Sequence, residues 1–256
     1  VIFSFCEQFV IFLFYDKNRN GGMTMENIIV KTKSLKKHYE VGTHTVVALN
    51  GVDFEVKERE FVSIIGKSGC GKSTLLHMLG GLDSPTSGSV IVDGINLSEM
   101  NQEQLALFRR RKIGFIFQQY NLIPDLNVYD NILFPLELDG VKADKEFVQE
   151  LLKTLHIADK TEMFPSMLSG GEQQRVAIAR ALATKPAIIL ADELTGNLDT
   201  SSSHDVIGLL KIVAREYQQT LIVITHDLDI AQMADRIVRL QDGKLVGGSD
   251  SDVSKQ

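Results

Sequence analysis

A glycine-rich stretch, Gly66 to Thr74, constrains the fold of this chain more than any other part of the sequence. It reads GKSGCGKST and fits the phosphate-binding pattern G-x-x-x-x-G-K-[ST]. The apolar run Phe61–Ile65 precedes it and the apolar segment Leu75–Leu79 follows it, so the context is a strand, a glycine-rich turn and a helix. Such a turn directs successive backbone N–H groups at one phosphate. The stretch therefore predicts a nucleotide-binding α/β fold.

The residues of this loop have separate predicted roles. Lys72 is expected to reach the β- and γ-phosphates as a point charge, and the Ser73 hydroxyl is expected to ligand Mg²⁺. All nine residues are expected to contact the nucleotide: Gly66, Lys67, Ser68, Gly69, Cys70, Gly71, Lys72, Ser73 and Thr74. A chance loop containing glycine and lysine is the alternative, and the flanking strand and helix argue against it.

The composition argues against some classes of function. The chain has 256 residues and a net charge of −6, whereas a nucleic-acid binder usually shows a basic face. We therefore expect no nucleic-acid partner. The two cysteines, Cys6 and Cys70, form neither a disulfide framework nor a metal-spaced set, so a reducing cytoplasm is the expected setting.

The two ends of the chain differ from its middle. Val1–Tyr15 is apolar but too short and too interrupted for a transmembrane helix of about 20 residues, and it lacks the basic start of a signal peptide. We interpret residues 1–24 as a disordered or non-native leader, with a peripheral membrane anchor as the alternative. Residues 25–247 are expected to form a single domain and residues 248–256 a flexible tail.

Strand and helix patterns predict an α/β core with an antiparallel β subdomain at its N-terminal side. The predicted strands are Ile28–Lys33, Thr45–Leu49, Val52–Val56, Phe61–Ile65, Ser89–Val92, Ile113–Phe117, Ala187–Ala191, Leu221–Thr225 and Ile237–Gln241. The predicted helices are Asn101–Arg111, Asn127–Leu138, Lys145–His156, Gly171–Ala183, Ser201–Tyr217 and Leu228–Ala234. A helical subdomain is thus inserted at about residues 119–165 and extends into a helix within residues 168–183.

A second candidate site follows the apolar strand Ala187–Ala191, which ends in Asp192 and Glu193. The carboxyl edge of a parallel sheet is where α/β proteins bind ligands. Asp192 is expected to hold Mg²⁺ through water, and Glu193 to accept a proton from an attacking water or to orient it. The alternative is that the pair only caps the next helix.

A third candidate site is the run Leu168–Gln173, LSGGEQ, directly before a long predicted helix. Its free N–H groups, its hydroxyl and the helix dipole make an anion site. Ser169 followed by Glu172 also fits an ordinary capping box. One chain with two sites for the phosphates of one nucleotide suggests that two chains share them.

These motifs together resemble the nucleotide-binding subunit of an ATP-binding cassette (ABC) transporter, a P-loop NTPase. The resemblance covers Ile28 to Gly247. The phrases FQQYNLIP at 117–124 and TGNLD at 195–199 resemble the single-domain ATPases that serve macrolide export, lipoprotein release or antimicrobial-peptide export.

The resemblance assigns further roles one position at a time. It implies that Gln118 touches Mg²⁺ and the attacking water, and that His226 senses the γ-phosphate. It implies that Asp199 connects two sites across a dimer. It also implies that Tyr39 stacks on adenine, with Val47 packed on the same ring.

The function implied is that of an ATPase whose two copies close head to tail around two ATP molecules and drive a separate integral-membrane permease. The implied cofactors are ATP and Mg²⁺, and the expected location is the cytoplasmic face of a bacterial cell membrane. The expected substrate is a peptide, a lipoprotein or a drug-like molecule. The implied catalytic set is Glu193, His226, Lys72 and Gln118, the metal set is Ser73, Gln118 and Asp192, and the residues acting on the other copy's ATP are Leu168, Ser169, Gly170, Gly171, Glu172 and Gln173.

Two other function classes stay open at this point. One is an ABC ATPase that regulates a membrane-bound signalling or cell-wall partner without moving a substrate. The other is a soluble translation or DNA-repair ATPase. The single cassette and the lack of a long coiled-coil insertion argue against the second.

Two positions depart from the family pattern. Leu194 replaces a proline that usually follows the catalytic Glu193, which is expected to loosen the placement of that carboxylate. Arg59 replaces a glycine in a turn, where a positive φ would cost about 1 kcal/mol. The basic run Arg109–Lys112 is expected to be a solvated helix face, with a nucleic-acid contact as the alternative.

Overall fold

A computed structural model describes residues 27–194 and 200–246 of the chain. The predicted leader, the predicted tail and Asp199 lie outside these residues. The described strands are β1 (Ile28–Val41), β2 (His44–Lys57), β3 (Phe61–Ile65), β4 (Ser87–Val92), β5 (Ile95–Asn96), β6 (Ile113–Ile116), β7 (Ile188–Asp192), β8 (Thr220–Ile224), β9 (Arg236–Gln241) and β10 (Lys244–Val246). The described helices are α1 (Lys72–Leu79), α2 (Gln102–Lys112), α3 (Val128–Leu138), α4 (Lys145–Thr154), α5 (Gly170–Ala183), α6 (Thr200–Glu216) and α7 (Leu228–Ala231).

The described strands form two sheets. The first is antiparallel, in the order β2-β1-β4-β5, and the second has the order β10-β9-β3-β8-β7-β6. In the second sheet β3 pairs in parallel with β8 and β9, and β7 pairs in parallel with β6 and β8. Because parallel strands end at the same edge, the segments that follow β3, β7 and β8 meet there.

The central strands are apolar on both faces, as a sheet covered on both sides requires. All residues of β3 and β8 are buried. Helix α1 packs between the two sheets, and its fully buried Leu75, Leu76 and Leu79 join one core. A second core lies on the other face of the parallel sheet, under α3 to α6. The phosphate loop is therefore carried by a buried strand and a buried helix.

The first hairpin is longer than the sequence pattern predicts. The predicted strands Thr45–Leu49 and Val52–Val56 are one strand, β2. The register skips Gly51, whose φ of 77° accommodates the shift between the two halves of the strand. The sequence prediction also missed the short strands β5 and β10. Both are edge strands of two or three residues, which give almost no periodic signal.

Residues 117–187 carry the helices between β6 and β7. The structure describes every residue of this stretch, and it contains α3, α4 and α5 and no strand. The side chain of Asn131, fully buried in α3, accepts a hydrogen bond from the Ile123 N–H at 2.7 Å and donates to the Leu126 carbonyl at 2.8 Å. Asn131 therefore fixes the loop that enters the helical part.

Arg59 has a φ of 65°, which confirms the left-handed turn expected at this position. Its N–H donates to the Thr220 hydroxyl at 2.9 Å, so β8 holds the turn in place. The basic run Arg109–Lys112 is not simply a solvated face. Arg110 and Arg111 contact Asp139 at 3.2 and 2.7 Å, which ties the end of α2 to the end of α3.

Candidate functional site

The phosphate loop has the backbone shape that its glycines allow. Gly69 and Gly71 have φ angles of 77° and 105°. A Cβ at Gly71 would overlap the carbonyl oxygen of Ala48, and a Cβ at Gly66 would overlap that of Leu240. No side chain caps the first turn of α1, so its N–H groups stay available to an anion.

Lys72 lies across the loop with its side chain buried. Its ammonium donates to the carbonyl of Gly66 at 2.9 Å and to that of Lys67 at 3.1 Å. These two bonds compensate for the burial of the charge and hold it inside the curve of the loop. The ammonium is therefore already positioned beside the backbone N–H groups that would receive a phosphate.

Cys70 contributes its backbone, not its thiol, to the loop surface. Its side chain is only 8% exposed and belongs to the core between the sheets. The Gly243 N–H donates to its carbonyl at 3.0 Å. Contact between the Cys70 thiol and a nucleotide has no support in this geometry.

The Ser73 hydroxyl and Asp192 meet at the edge of the sheet, 3.3 Å apart (Oγ to Oδ1). They are separated by 119 residues, so the contact joins two motifs that the sequence only suggested were neighbours. Burial raises the pKa of Asp192, the hydrogen bond from Ser73 opposes this, and the nearby Glu193 raises it further. A cation bound here would reverse that shift, because it favours the ionised carboxylate.

Glu193 and His226 follow adjacent strands and face each other, with Oε1 and Nδ1 3.8 Å apart. Glu193 has a φ of 43°, and its N–H donates to the Ile224 carbonyl at 3.1 Å. The next residue, Leu194, is 2% exposed and packs in the core. Leu194 therefore anchors the backbone of Glu193, and the looser placement of the carboxylate expected from the missing proline stays a prediction.

The start of α5 is a capping box. The Ser169 hydroxyl accepts from the Glu172 N–H at 3.3 Å, and the Glu172 carboxylate accepts from the Ser169 N–H at 2.8 Å. The Ser169 hydroxyl also donates to the Glu172 carboxylate at 2.9 Å, and the two hydrogen bonds that this carboxylate accepts, from the N–H and from the hydroxyl of Ser169, hold the pKa of Glu172 below its ordinary value. The side-chain amide of Gln173 donates to the carbonyl of the buried Leu168 at 3.2 Å. The capping box and the anion site are compatible interpretations of LSGGEQ. The capping box leaves Gly170 and Gly171 in the first turn of the helix, where an anion would bind.

Gln174 is a buried polar residue that the sequence pattern does not single out. It is fully buried, and no hydrogen-bond partner for its amide occurs among the residues that the structure describes. Nothing in the sequence distinguishes it from the neighbouring Gln173, since both are polar residues of one helix.

Tyr39 lies in β1 beside the phosphate loop. Its hydroxyl donates to Asp83 at 3.0 Å, and it pairs across the hairpin with Val46. Val47 pairs with His38, so the register puts Val46, and not Val47, opposite the tyrosine. Val46 is half-exposed and available to a planar ligand on that face. The hydrophobic pattern does not show which valine lies opposite Tyr39, since the pairing register is irregular next to His38.

Gln118 comes two residues after the end of β6 and is half-buried. A cavity of about 540 Å³ opens beside the segment that follows it. The cavity is lined by Gln119, Tyr120, Asn121, Leu122, Pro124, Pro165, Ser166 and Gln173. It therefore lies between the loop after β6 and the approach to α5.

Arg180 of α5 binds the backbone of the loop after β6. Its guanidinium donates to the carbonyls of Tyr120 at 2.7 Å and Asn121 at 2.5 Å. Burial lowers the pKa of Arg180, and the two carbonyls compensate for the buried charge. The helix that begins with LSGGEQ is thereby connected to a wall of the cavity.

Comparison with known proteins places these features in one family. A family model described as ABC transporter matches residues 49–196. An uncharacterized ABC transporter ATP-binding protein of Thermotoga maritima is 49% identical over 213 residues, which are 82% of this chain and 91% of that protein. The lipoprotein-releasing system ATP-binding protein LolD of Pseudoalteromonas translucida is 40% identical over 86% of this chain and 96% of its own.

A solved structure matches the fold as well. It is the dimeric post-hydrolysis state of the ATP-binding cassette MJ0796 of Methanocaldococcus jannaschii, bound to ADP and Pi. The TM-score is 0.77 at 43% sequence identity, over 85% of this chain and 97% of that one. The macrolide export ATP-binding/permease protein MacB of Rhodopirellula baltica is 40% identical over 84% of this chain but only 32% of its own length.

Proposed function

The chain belongs to the ABC transporter ATP-binding family, and from that premise we propose that it works as an ATP-dependent homodimer driving a separate membrane permease that exports a peptide, a lipoprotein or a drug-like molecule. The family and the fold predicted from the sequence are confirmed. The observation that carries the proposal is the contact of Ser73 with Asp192, because it assembles the phosphate loop and the acidic strand end into one site.

Mg²⁺ is proposed as a cofactor of this site. Ser73 offers an oxygen ligand of the kind that Mg²⁺ prefers, Asp192 would hold the ion through water, and Gln118 would offer a further oxygen from the loop after β6, the strand paired with β7. Among the described residues there is no cluster of three or more His, Cys, Asp or Glu able to hold a metal, so ATP oxygens and water would complete the shell. A bound Mg²⁺ would neutralise charge on the β- and γ-phosphates.

The residues of the chain have distinct proposed roles in hydrolysis. Lys72 and the loop N–H groups hold the phosphates and stabilise the negative charge that develops on them. Glu193 orients the attacking water and accepts its proton, and His226, whose Nδ1 lies 3.8 Å from Oε1 of Glu193, senses the γ-phosphate. The fixed backbone of Glu193 supports this role, since it limits the positions that the carboxylate can take.

The phosphate loop is proposed to be half of the pocket. The other half is the start of α5 in the second copy, where the N–H groups of Gly170 and Gly171 and the Ser169 hydroxyl meet the γ-phosphate. The dimeric form of the MJ0796 cassette supports this arrangement. Hydrolysis removes the shared anion, so the two copies separate.

The permease is proposed to dock at the 540 Å³ cavity. The walls of this cavity connect the loop after Gln118 with the segment before α5, so movement at the cavity reaches both halves of the ATP site. No helix among the described residues is both long and apolar enough to cross a membrane. The names of MacB and LolD support an exporter, and a place on the cytoplasmic face of the cell membrane follows from the proposed partner.

The direct test combines binding, assembly and transport. The full chain should bind ATP, dimerise with it and co-purify with an integral-membrane protein, and the pair rebuilt in vesicles should move a substrate when ATP is added. Lys72→Ala should lose ATP binding and transport. A protein that stays monomeric with ATP and binds no membrane partner would contradict the proposal. A membrane complex that hydrolyses ATP without transport would favour a regulator.

A further inference from the structure

Three side chains from two distant parts of the sequence meet beside the phosphate loop. Tyr39 donates its hydroxyl hydrogen to the Asp83 carboxylate at 3.0 Å. The Lys37 ammonium donates to the other oxygen of Asp83 at 2.7 Å and to the Ser84 carbonyl at 2.8 Å. Lys37 and Tyr39 lie in β1, whereas Asp83 follows the end of α1. The cluster therefore ties the tyrosine to the helix that begins with the phosphate loop.

Asp83 is the centre of this cluster. Burial opposes its ionisation, but hydrogen bonds from Lys37, the Ser84 N–H and Tyr39 outweigh this and hold the pKa of Asp83 below its ordinary value. At neutral pH it is a carboxylate and can only accept, so the tyrosine hydroxyl must be the donor. Hydrogen bonds to a charged acceptor are the stronger kind.

The same cluster occupies one face of the tyrosine ring. The Lys37 ammonium lies over the ring, 4.9 Å from its centroid, and its side chain is only 13% exposed. A ring that is held at its hydroxyl and covered by a cation on one side has one side left for a planar molecule. The half-exposed Val46 lies across the hairpin from Tyr39.

We propose that Asp83 and Lys37 are positioning residues that fix the Tyr39 ring in the orientation in which its open face stacks on adenine. The inference rests on the proposed function, since it requires ATP phosphates to occupy the loop. Fixing the ring before ATP arrives removes the cost of ordering a side chain on binding. Asp83 and Lys37 act through Tyr39 and have no contact with the nucleotide in this scheme.

The test compares two ligands by calorimetry at a fixed Mg²⁺ concentration: ATP, and inorganic tripolyphosphate, which has no base. Asp83→Ala and Tyr39→Phe should each weaken ATP binding by about fivefold, the scale set by ordering one side chain on binding. Tripolyphosphate binding should stay within about twofold of wild type. The double variant should bind ATP no more weakly than Asp83→Ala alone, since both changes remove the same bond.

The control is Glu55→Gln, which breaks the ion pair of Lys31 with Glu55 in the same sheet and should leave ATP binding unchanged. Equal loss of ATP and tripolyphosphate binding in Asp83→Ala would show a merely structural role and overturn the inference. Wild-type ATP binding by both Asp83→Ala and Tyr39→Phe would also overturn it. If Lys72→Ala still binds ATP, the proposed function itself fails, whatever the Asp83 variant does.

Discussion

At the scale of single residues, the proposed Mg²⁺ site predicts a pH dependence that arises from the half-buried carboxyl of Asp192. Its pKa is raised by burial, so it takes up a proton on acidification at a higher pH than an ordinary aspartic acid does. The metal needs the ionised form. We expect the Mg²⁺ concentration for half-maximal ATPase activity to rise on acidification, starting above the ordinary pKa of aspartic acid. A half-saturation value that stays constant down to that pKa would contradict the assignment of Asp192.

The same pKa shift predicts a change in the stability of the ligand-free protein. A carboxyl whose pKa is raised in the folded state contributes stability below its unfolded pKa, and that stability is lost as the pH rises through the folded pKa. Asp192→Asn should therefore raise the Tm of the ligand-free protein at neutral pH, by about 2 °C for a change of about 1 kcal/mol. Thermal unfolding at neutral pH and at pH 4 would measure this, and the gain should shrink at the lower pH. Mg-ATP should stabilise the wild type more than the variant.

At the scale of elements, the hydrogen bonds of Arg180 form the link between α5 and the loop on the cavity wall. Arg180→Met should lower the Tm by about 2–6 °C, because the loss of the donor to the Tyr120 and Asn121 carbonyls costs about 1–3 kcal/mol. If the link transmits movement, the variant should keep ATP binding and lose most of the increase in ATPase activity that the permease causes. The measurement is ATPase activity with and without the permease.

The matched control for Arg180 is Arg109→Met. Arg109 also donates to a backbone carbonyl, that of Gly81 at 2.7 Å, but it lies in α2, away from the cavity. Arg109→Met should lower the Tm in the same way and leave the stimulation of ATPase activity by the permease intact. Equal loss of stimulation in both variants would show that general destabilisation, and not the link, is responsible.

Elements with a strong local signal could be predicted from the sequence. The bounds of β3 were predicted without error, because a five-residue run with four apolar residues precedes a glycine turn. The contact of Tyr39 with Asp83 and the clamp of Arg180 could not be predicted, because each joins residues 44 to 60 positions apart and depends on how elements pack. The pairing of Tyr39 with Val46 depends on an irregular register that no periodicity shows.

At the scale of the whole molecule, a pocket shared between two copies can be tested by mixing two inactive variants. Lys72→Ala disables the phosphate loop, and Ser169→Asp puts a negative charge where the partner's γ-phosphate would approach, while an aspartate still caps α5. A dimer made of either variant alone contains two defective ATP sites. In the mixed dimer, one site combines an intact loop with an intact start of α5.

Head-to-tail sharing predicts that the mixture regains activity although neither component has any. At equal concentrations half of the dimers are mixed, and each has one of its two sites intact, so about a quarter of wild-type ATPase activity is expected if sites act independently and the mixed dimer forms at random. ATPase assays on a titration of one variant into the other would measure this. A mixture as inactive as its components would mean that each copy completes its own pocket, and the second copy would then have another role.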